Sequence, residues 1–205
     1  MSDLFGDAVN VNGVRVWPGL LERGAQESLR DELRVLAETA PFRRYETAGG
    51  RKMSVRMTAA GDLGWVTDRS GYRYEATQMD GRAWPDIPGP VLDVWRKVSC
   101  VDIDPDSCLV NFYGDGARMG MHQDSDENDH RWPVVSISLG DDALFRVGTT
   151  QRGGRTKSVW LRSGDVAVLS GEARMAYHGI DRIKFGSSDL LPLGGRINLT
   201  LRVAG

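Results

Sequence analysis

The strongest constraint on this chain lies in its C-terminal half, where short apolar runs follow one another at strand length. Residues 107–113, 134–139, 143–147, 157–161, 166–169 and 196–203 each read as a strand bounded by Gly, Pro, Asp or Ser. Strands this short, punctuated this often, favour a sandwich or barrel over a βαβ sheet. The first half is mixed. Leu29, Leu33 and Leu36 form an i, i+4, i+7 stripe that predicts a helix over 25–39, stopped by Pro41. A second helix is expected from Pro90, a good first-turn residue, through Val91, Val94 and Trp95 to about Ser99. Residues 42–88 read as irregular and carry Trp65, Tyr72, Tyr74 and Trp84. The expected class is α+β: an all-β C-terminal core with an N-terminal extension, in one domain.

With 205 residues, 40% of them hydrophobic, the chain can bury a core without a disulfide or structural metal. A net charge of -2 argues against wholesale attraction to nucleic acid or anionic membrane and leaves room for a local basic face. Cys100 and Cys108 form no CxxC pattern and read as reduced thiols of a cytoplasmic protein. No apolar run has the length of a membrane span, and Met1-Ser2-Asp3-Leu4-Phe5-Gly6 lacks the regions of a signal peptide. A cytoplasmic monomer without membrane attachment is the expectation.

Histidines occur only at 122, 130 and 178. In extended backbone, residues i and i+2 point the same way, so His122 and Asp124 of His122-Gln123-Asp124 can converge on one point. His178 lies several strands further on, and a rolled β core can bring it to the pair. Two imidazoles and a carboxylate leave half an octahedron open, the ligand set of non-heme Fe(II) oxygenases. The competing reading is a solvated acidic loop over Gln123-Asp124-Ser125-Asp126-Glu127. His130, in Asn128-Asp129-His130-Arg131, reads as surface loop.

The last predicted strand alternates strictly. Arg196, Asn198, Thr200 and Arg202 fall on one face, and Ile197, Leu199, Leu201 and Val203 on the other. The polar set consists of groups suited to holding carboxylates, although the same pattern fits a half-exposed edge strand. Its arginines stand roughly 20 Å apart along a strand, too far to share one small ligand unless the strand bends. Asn111 and Tyr113, with Leu109, face one way on strand 107–113 and can complete an inward polar site for a small dicarboxylate.

Asn111-Phe112-Tyr113, His122-x-Asp124, His178 and Arg196-x5-Arg202, in this order, make the sequence resemble the AlkB family of Fe(II)/2-oxoglutarate-dependent dioxygenases, which repair alkylated nucleic acid. Asp3-Leu4-Phe5, Met53-Ser54-Val55, Leu63-Gly64-Trp65, Ser136-Ile137-Ser138-Leu139-Gly140 and Tyr177-His178-Gly179 extend the resemblance over nearly the whole chain. It implies a double-stranded β-helix (jelly-roll) core over 107–205 and, over 1–106, an extension forming a nucleotide-recognition lid. It further implies Fe(II) on His122, Asp124 and His178, and 2-oxoglutarate on Asn111, Tyr113, Arg196, Asn198 and Arg202, with O2 as the other co-substrate. Trp65, Tyr72, Arg73, Tyr74, Asp126 and Arg152 would meet a damaged base in single- or double-stranded DNA, or in RNA. Leu169 stands where a relative carries Trp, and Ala173, Ala176 and the Gly153-Gly154 loop also depart. These differences bear on pocket shape and hence on lesion preference.

Residue chemistry agrees with such a substrate. A base is read out of its stack by aromatic surface and edge contacts, and Trp65, Tyr72 and Tyr74 offer that surface or, alternatively, core packing. Arg43, Arg44, Arg51, Lys52 and Arg56, with Arg69, Arg73, Arg152, Arg155 and Lys157, compose a candidate phosphate-binding rim. The Asp126 carboxylate can favour a cationic methylated base by Coulomb attraction. Two other classes fit parts of the sequence: an oxygenase of proteins or small molecules, and a non-catalytic jelly-roll that holds an anion.

Overall fold

The computed structural model describes residues 8–47 and 49–205, so the Asp3-Leu4-Phe5 motif lies outside the described residues. The N-terminal elements are β1 (Val9–Val11), β2 (Val14–Trp17), α1 (Arg23–Thr39), β3 (Arg56–Gly61), β4 (Gly64–Asp68), β5 (Gly71–Glu75) and α2 (Gly89–Val98). Then follow β6 (Ser107–Tyr113), β7 (Met119–His122), β8 (Val134–Gly140), β9 (Asp142–Val147), β10 (Lys157–Leu161) and β11 (Val166–Leu169). After a 3-10 turn at Gly171–Ala173, β12 (His178–Lys184) and β13 (Arg196–Arg202) complete the chain.

A seven-stranded sheet in the order β1-β2-β11-β8-β13-β6-β3 faces a four-stranded one in the order β10-β9-β12-β7. The registered pairs are antiparallel throughout. This is the jelly-roll expected of the C-terminal half. The large sheet is covered on both faces, for different reasons. Its outer face, with Cys108, Val110, Val135, Ile137, Leu139, Val166, Val168, Ile197, Leu199 and Leu201, packs under both helices. The same core takes in Leu29, Leu33 and Leu36 of α1 and Val91, Val94, Trp95 and Val98 of α2. Its inner face, with Met57, Leu109, Tyr113, Val134, Ala167 and Leu169, meets Ala143, Phe145, Val147, Leu161 and Ile180 from the small sheet. β13 lies between β8 and β6 and is buried along its length, so it is central rather than an edge strand.

The stretch 42–88 is not irregular. It holds β3, which pairs with β6 at the edge of the large sheet, and the β4–β5 hairpin. β3 escaped a period-two reading because Met57, Thr58, Ala59 and Ala60 are buried on both faces. β1, β2, β7 and β12 also went unread. The first two and β7 are only three or four residues long, and Gly120 and Gly179 interrupt the apolar pattern of β7 and β12. Strands β1, β2 and β3 pair into the same sheet as β6, β8, β11 and β13.

One buried carboxylate fixes where β13 begins. Asp141, 1% exposed, accepts the backbone N–H groups of Gly186 (3.0 Å), Ser188 (2.9 Å) and Gly195 (2.7 Å). Gly140 beside it has φ +89, and a Cβ there would lie 2.5 Å from the Gly195 carbonyl oxygen. The loop is thereby drawn against β8, and Arg196 enters the sheet opposite Gly140. Asp141→Ala removes the acceptor of three backbone N–H groups, of which only that of Gly195 is buried, and is expected to cost about 2 kcal/mol in urea unfolding. Cys108 is buried, which pushes its thiol up to about 12, whereas Cys100 is exposed. An aromatic disulfide reagent at pH 8 should therefore titrate one thiol in the native protein and both in denaturant.

Candidate active site

The antiparallel register of β7 and β12 places His178 directly opposite His122, with ring centroids 4.6 Å apart. This close pairing requires Gly179, because a Cβ there would come within 2.7 Å of the Met119 carbonyl oxygen and 2.8 Å of that of Gly120. Each imidazole is oriented from behind. His122 Nδ1 lies 2.9 Å from the Gly120 carbonyl and His178 Nδ1 3.0 Å from that of Ala176. A carbonyl only accepts, so Nδ1 carries the proton and Nε2 presents a lone pair. Burial holds His178 down at about 4, which keeps its ring neutral near pH 7.

Asp124 closes the group. Its Oδ1 is 3.7 Å from His122 Nε2, its Oδ2 is 3.8 Å from His178 Nε2, and one ligand atom from each of the three residues lies within 4.8 Å of the others. Between His122 and Asp124, Gln123 turns away and donates to the Met175 carbonyl at 2.6 Å, which pins the loop. Burial works to raise the Asp124 pKa. The Arg202 guanidinium, helped by the two imidazoles, overrides it and holds the carboxyl below the usual carboxylate range. Asp124 Oδ2 is buried without a hydrogen-bond partner. Two lone pairs and an orphaned carboxylate oxygen aimed at one point suit a divalent cation.

The trio sits in a cavity of about 740 Å³ that opens through the jelly-roll mouth. Arg196, Asn198, Thr200 and Arg202 project into it from β13, and Asn111 and Tyr113 from β6. The two arginines do not converge. Arg202 Nη2 lies 3.0 Å from Asp124 Oδ1, at the imidazole end. Arg196 stacks over the Tyr113 ring at 5.3 Å and donates from Nη2 to Ser138 Oγ at 3.0 Å, while its Nε and Nη1 have no partner. Among the described residues no carboxylate forms an ion pair with Arg196, and burial lowers its pKa. A buried guanidinium with two idle N–H donors suits a carboxylate supplied from outside. Burial pushes the Tyr113 phenol up to about 12, so it remains a donor beside Arg196. Asn198 is held internally, donating to Ser136 Oγ at 2.7 Å and accepting from Thr200 at 3.0 Å. The Asn111 Oδ1 is buried and unpaired.

The β4–β5 hairpin overhangs the mouth and presents Trp65, Tyr72 and Tyr74 to the cavity. Trp65 stacks on Tyr72 with centroids 5.5 Å apart and donates its indole N–H to Asp126 Oδ2 at 2.8 Å. At the hairpin root, Trp84 donates to the Glu75 carbonyl at 2.9 Å and its ring fills the space a Cβ on Gly64 would need. Arg73, by contrast, points to the other face of the hairpin and pairs with Asp68 (3.0 Å) and Glu75 (2.6 Å). Arg152 and Arg51 line the mouth. Arg56 leaves the expected rim and lies over the Phe112 ring at 4.5 Å, beside a separate groove.

Two residues in the site were not found by reading the sequence. Glu127 lies in the acidic run that reads as solvated loop, yet it is buried and accepts from Tyr74 and Arg174. Arg174, in no motif, is 3% exposed. Only the inward turn of residues 124–127 reveals either. His130 is exposed, as expected for surface loop.

Known proteins bear on this site directly. The family model of the 2OG-Fe(II) oxygenase superfamily matches residues 13–202. The chain is 56% identical to the alpha-ketoglutarate-dependent dioxygenase AlkB homolog of Caulobacter vibrioides (strain NA1000 / CB15N), over 95% of this chain and 89% of that protein. It is 39% identical to alpha-ketoglutarate-dependent dioxygenase AlkB of Escherichia coli (strain K12), over 100% and 99% of the two chains. The chain belongs to the AlkB family of 2OG-Fe(II) oxygenases. The solved structure of OsALKBH1 aligns with it at a TM-score of 0.78 and 29% identity, over 95% of this chain and 97% of that one.

As an AlkB-family dioxygenase, the protein uses Fe(II), 2-oxoglutarate and O2. The donor set fits them: a His-Asp-His trio with an orphaned oxygen for the metal, and an unpaired buried guanidinium for a terminal carboxylate. Leu169, one of the departures from the family pattern, is 1% exposed and lines the cavity wall. Arg196→Met replaces an uncompensated buried charge by an apolar chain of similar reach. The melting temperature of the metal-free protein should rise, by about 2–4 °C for each kcal/mol gained in a chain of this size. The thermal shift that 2-oxoglutarate with Mn(II) gives the parent chain should vanish. A fall in melting temperature would mean that the guanidinium serves the fold.

Proposed function

We propose that this dioxygenase demethylates N-alkylated bases, such as N1-methyladenine and N3-methylcytosine, in single- or double-stranded DNA, with RNA as a further substrate. The observation that carries the reading is the stacking of metal trio and aromatic hairpin on one cavity: His122, Asp124 and His178 inside, Trp65, Tyr72 and Tyr74 at the mouth. A base that leaves its stack trades one aromatic neighbour for another, and a wall of rings offsets that cost. Exposed Arg51 and Arg152 stand where a phosphate backbone would pass. A protein or small-molecule substrate would leave these groups without a role.

His122, Asp124 and His178 would hold Fe(II). Arg196 and Tyr113 would take the far carboxylate of 2-oxoglutarate, with Asn111, Asn198 and Arg202 shaping the site toward the metal. When bound, Fe(II) with 2-oxoglutarate and O2 supplies the oxidation that turns the N-methyl carbon into formaldehyde, yielding succinate and carbon dioxide. The chain's own residues do the rest. The apolar wall of Leu109, Val134, Leu161 and Leu169 excludes water and offers no competing polar contact. Asp126 at the mouth holds Trp65 through one oxygen, and its charge favours a cationic methylated base over the neutral parent. No acid-base residue is required, so positioning and electrostatics are the protein's contribution. The free thiols of Cys100 and Cys108 suit a reducing cytoplasm, and no described helix is long and apolar enough to cross a membrane. A cytoplasmic monomer completes the proposal.

Methylated oligonucleotides, as DNA and RNA and as single and double strands, should lose 14 mass units per lesion and release formaldehyde only with Fe(II) and 2-oxoglutarate present. His122→Ala and Asp124→Ala should abolish this while circular dichroism stays native. Arg202→Ala should raise the 2-oxoglutarate KM at least about tenfold, the effect of losing roughly 1.4 kcal/mol of charge-assisted binding. Turnover of 2-oxoglutarate without demethylation of any oligonucleotide would reject the nucleic-acid reading.

A further inference from the structure

Behind the metal trio lies a second charged cluster that the proposed chemistry does not use. Glu127 is 6% exposed and Arg174 3% exposed. Glu127 Oε1 accepts the Tyr74 hydroxyl at 2.8 Å and forms an ion pair with Arg202, 2.9 Å from an Nε whose N–H makes no hydrogen bond, while Oε2 accepts from Arg174 Nη2 at 3.0 Å. Arg174 spends its other donors on the backbone, giving Nη1 to the Asp124 carbonyl at 2.8 Å and Nε to the Trp132 carbonyl at 2.8 Å. One guanidinium thus grips both ends of the 124–127 turn. Arg202 stands between two carboxylates, Asp124 at 3.0 Å and Glu127 at 2.9 Å.

From this geometry we propose that Glu127, held by Arg174, is a positioning residue that couples the lid hairpin to the metal site by dividing Arg202 between itself and Asp124. The proposal rests on the metal assignment made above and adds a signed dependence to it. Whatever strengthens the hold of Glu127 on Arg202 frees Asp124 to ligate a cation. Whatever weakens that hold sends Arg202 to Asp124, where it competes with the cation. Tyr74 is the lid's handle, because its hydroxyl occupies the same Glu127 oxygen that Arg202 approaches. A base that draws the hairpin inward shifts Tyr74 and changes that share, and linkage requires the metal to act back on the lid equally.

Isothermal titration of the metal-free full chain with Mn(II) tests this without turnover. Glu127→Gln should weaken Mn(II) binding about tenfold. Tyr74→Phe, which removes only a hydroxyl from Glu127, should tighten it about threefold. The double variant should match Glu127→Gln alone, because the hydroxyl acts only through the carboxylate. General loosening of the site would weaken both single variants, so a weaker or unchanged Tyr74→Phe overturns the coupling, as does additivity in the double variant. If Glu127→Gln does not fold, the sign of the Tyr74→Phe effect still decides. Failure of the parent chain to bind Mn(II) would reject the metal assignment and the coupling with it, whereas normal parent binding with an unmoved Tyr74→Phe rejects the coupling alone.

Discussion

An antiparallel register governs the chemistry of this protein. His122 and His178 are cross-strand partners, and such partners have nearby Cβ atoms whatever their separation in sequence. A slip of one residue between β7 and β12 would turn one imidazole away from the cavity. The register is protected locally by Gly179, the only residue type whose side chain avoids the carbonyls of Met119 and Gly120. It is protected globally by β9, which pairs with the other edge of β12 and sets His178 beside Val147.

The large sheet is an amphipathic wall used in two senses. Outward residues of β13 lie under α1 and α2 and contribute hydrophobic burial, about 1.5–3 kcal/mol for each large aliphatic side chain. Inward residues of the same strand carry guanidinium, amide and hydroxyl groups into a closed space, at a cost that burial of the outer face offsets. Arg196 embodies this tension: fully enclosed, stacked on Tyr113 and left with idle donors. An uncompensated buried charge of this kind lowers the stability of the fold.

The charges around the trio are arranged in a chain from the β4–β5 hairpin to Asp124. Asp126 holds Trp65, Glu127 holds Tyr74, and Arg174 fixes the turn that carries both acids and Asp124. Rim contacts of the hairpin and buried contacts of the His-Asp-His trio therefore share one four-residue segment. In a low-dielectric interior such a network gains from being complete and loses heavily when one member is missing.

Much of this was legible in the residue order. Period two in 196–202 marked the polar face of β13, the leucine stripe marked α1, and His-x-Asp with a distant His marked the three residues that the fold brings together, because each signal is a local repeat or spacing. Tertiary structure alone decided that β13 is central and not an edge, since that depends on which strands flank it. It alone turned Arg73 away from the cavity, set Arg56 on Phe112 and drew Glu127 out of an acidic run into a buried pair with Arg174. Charge in a sequence has no direction; only packing from several elements at once determines whether a carboxylate meets water or a guanidinium.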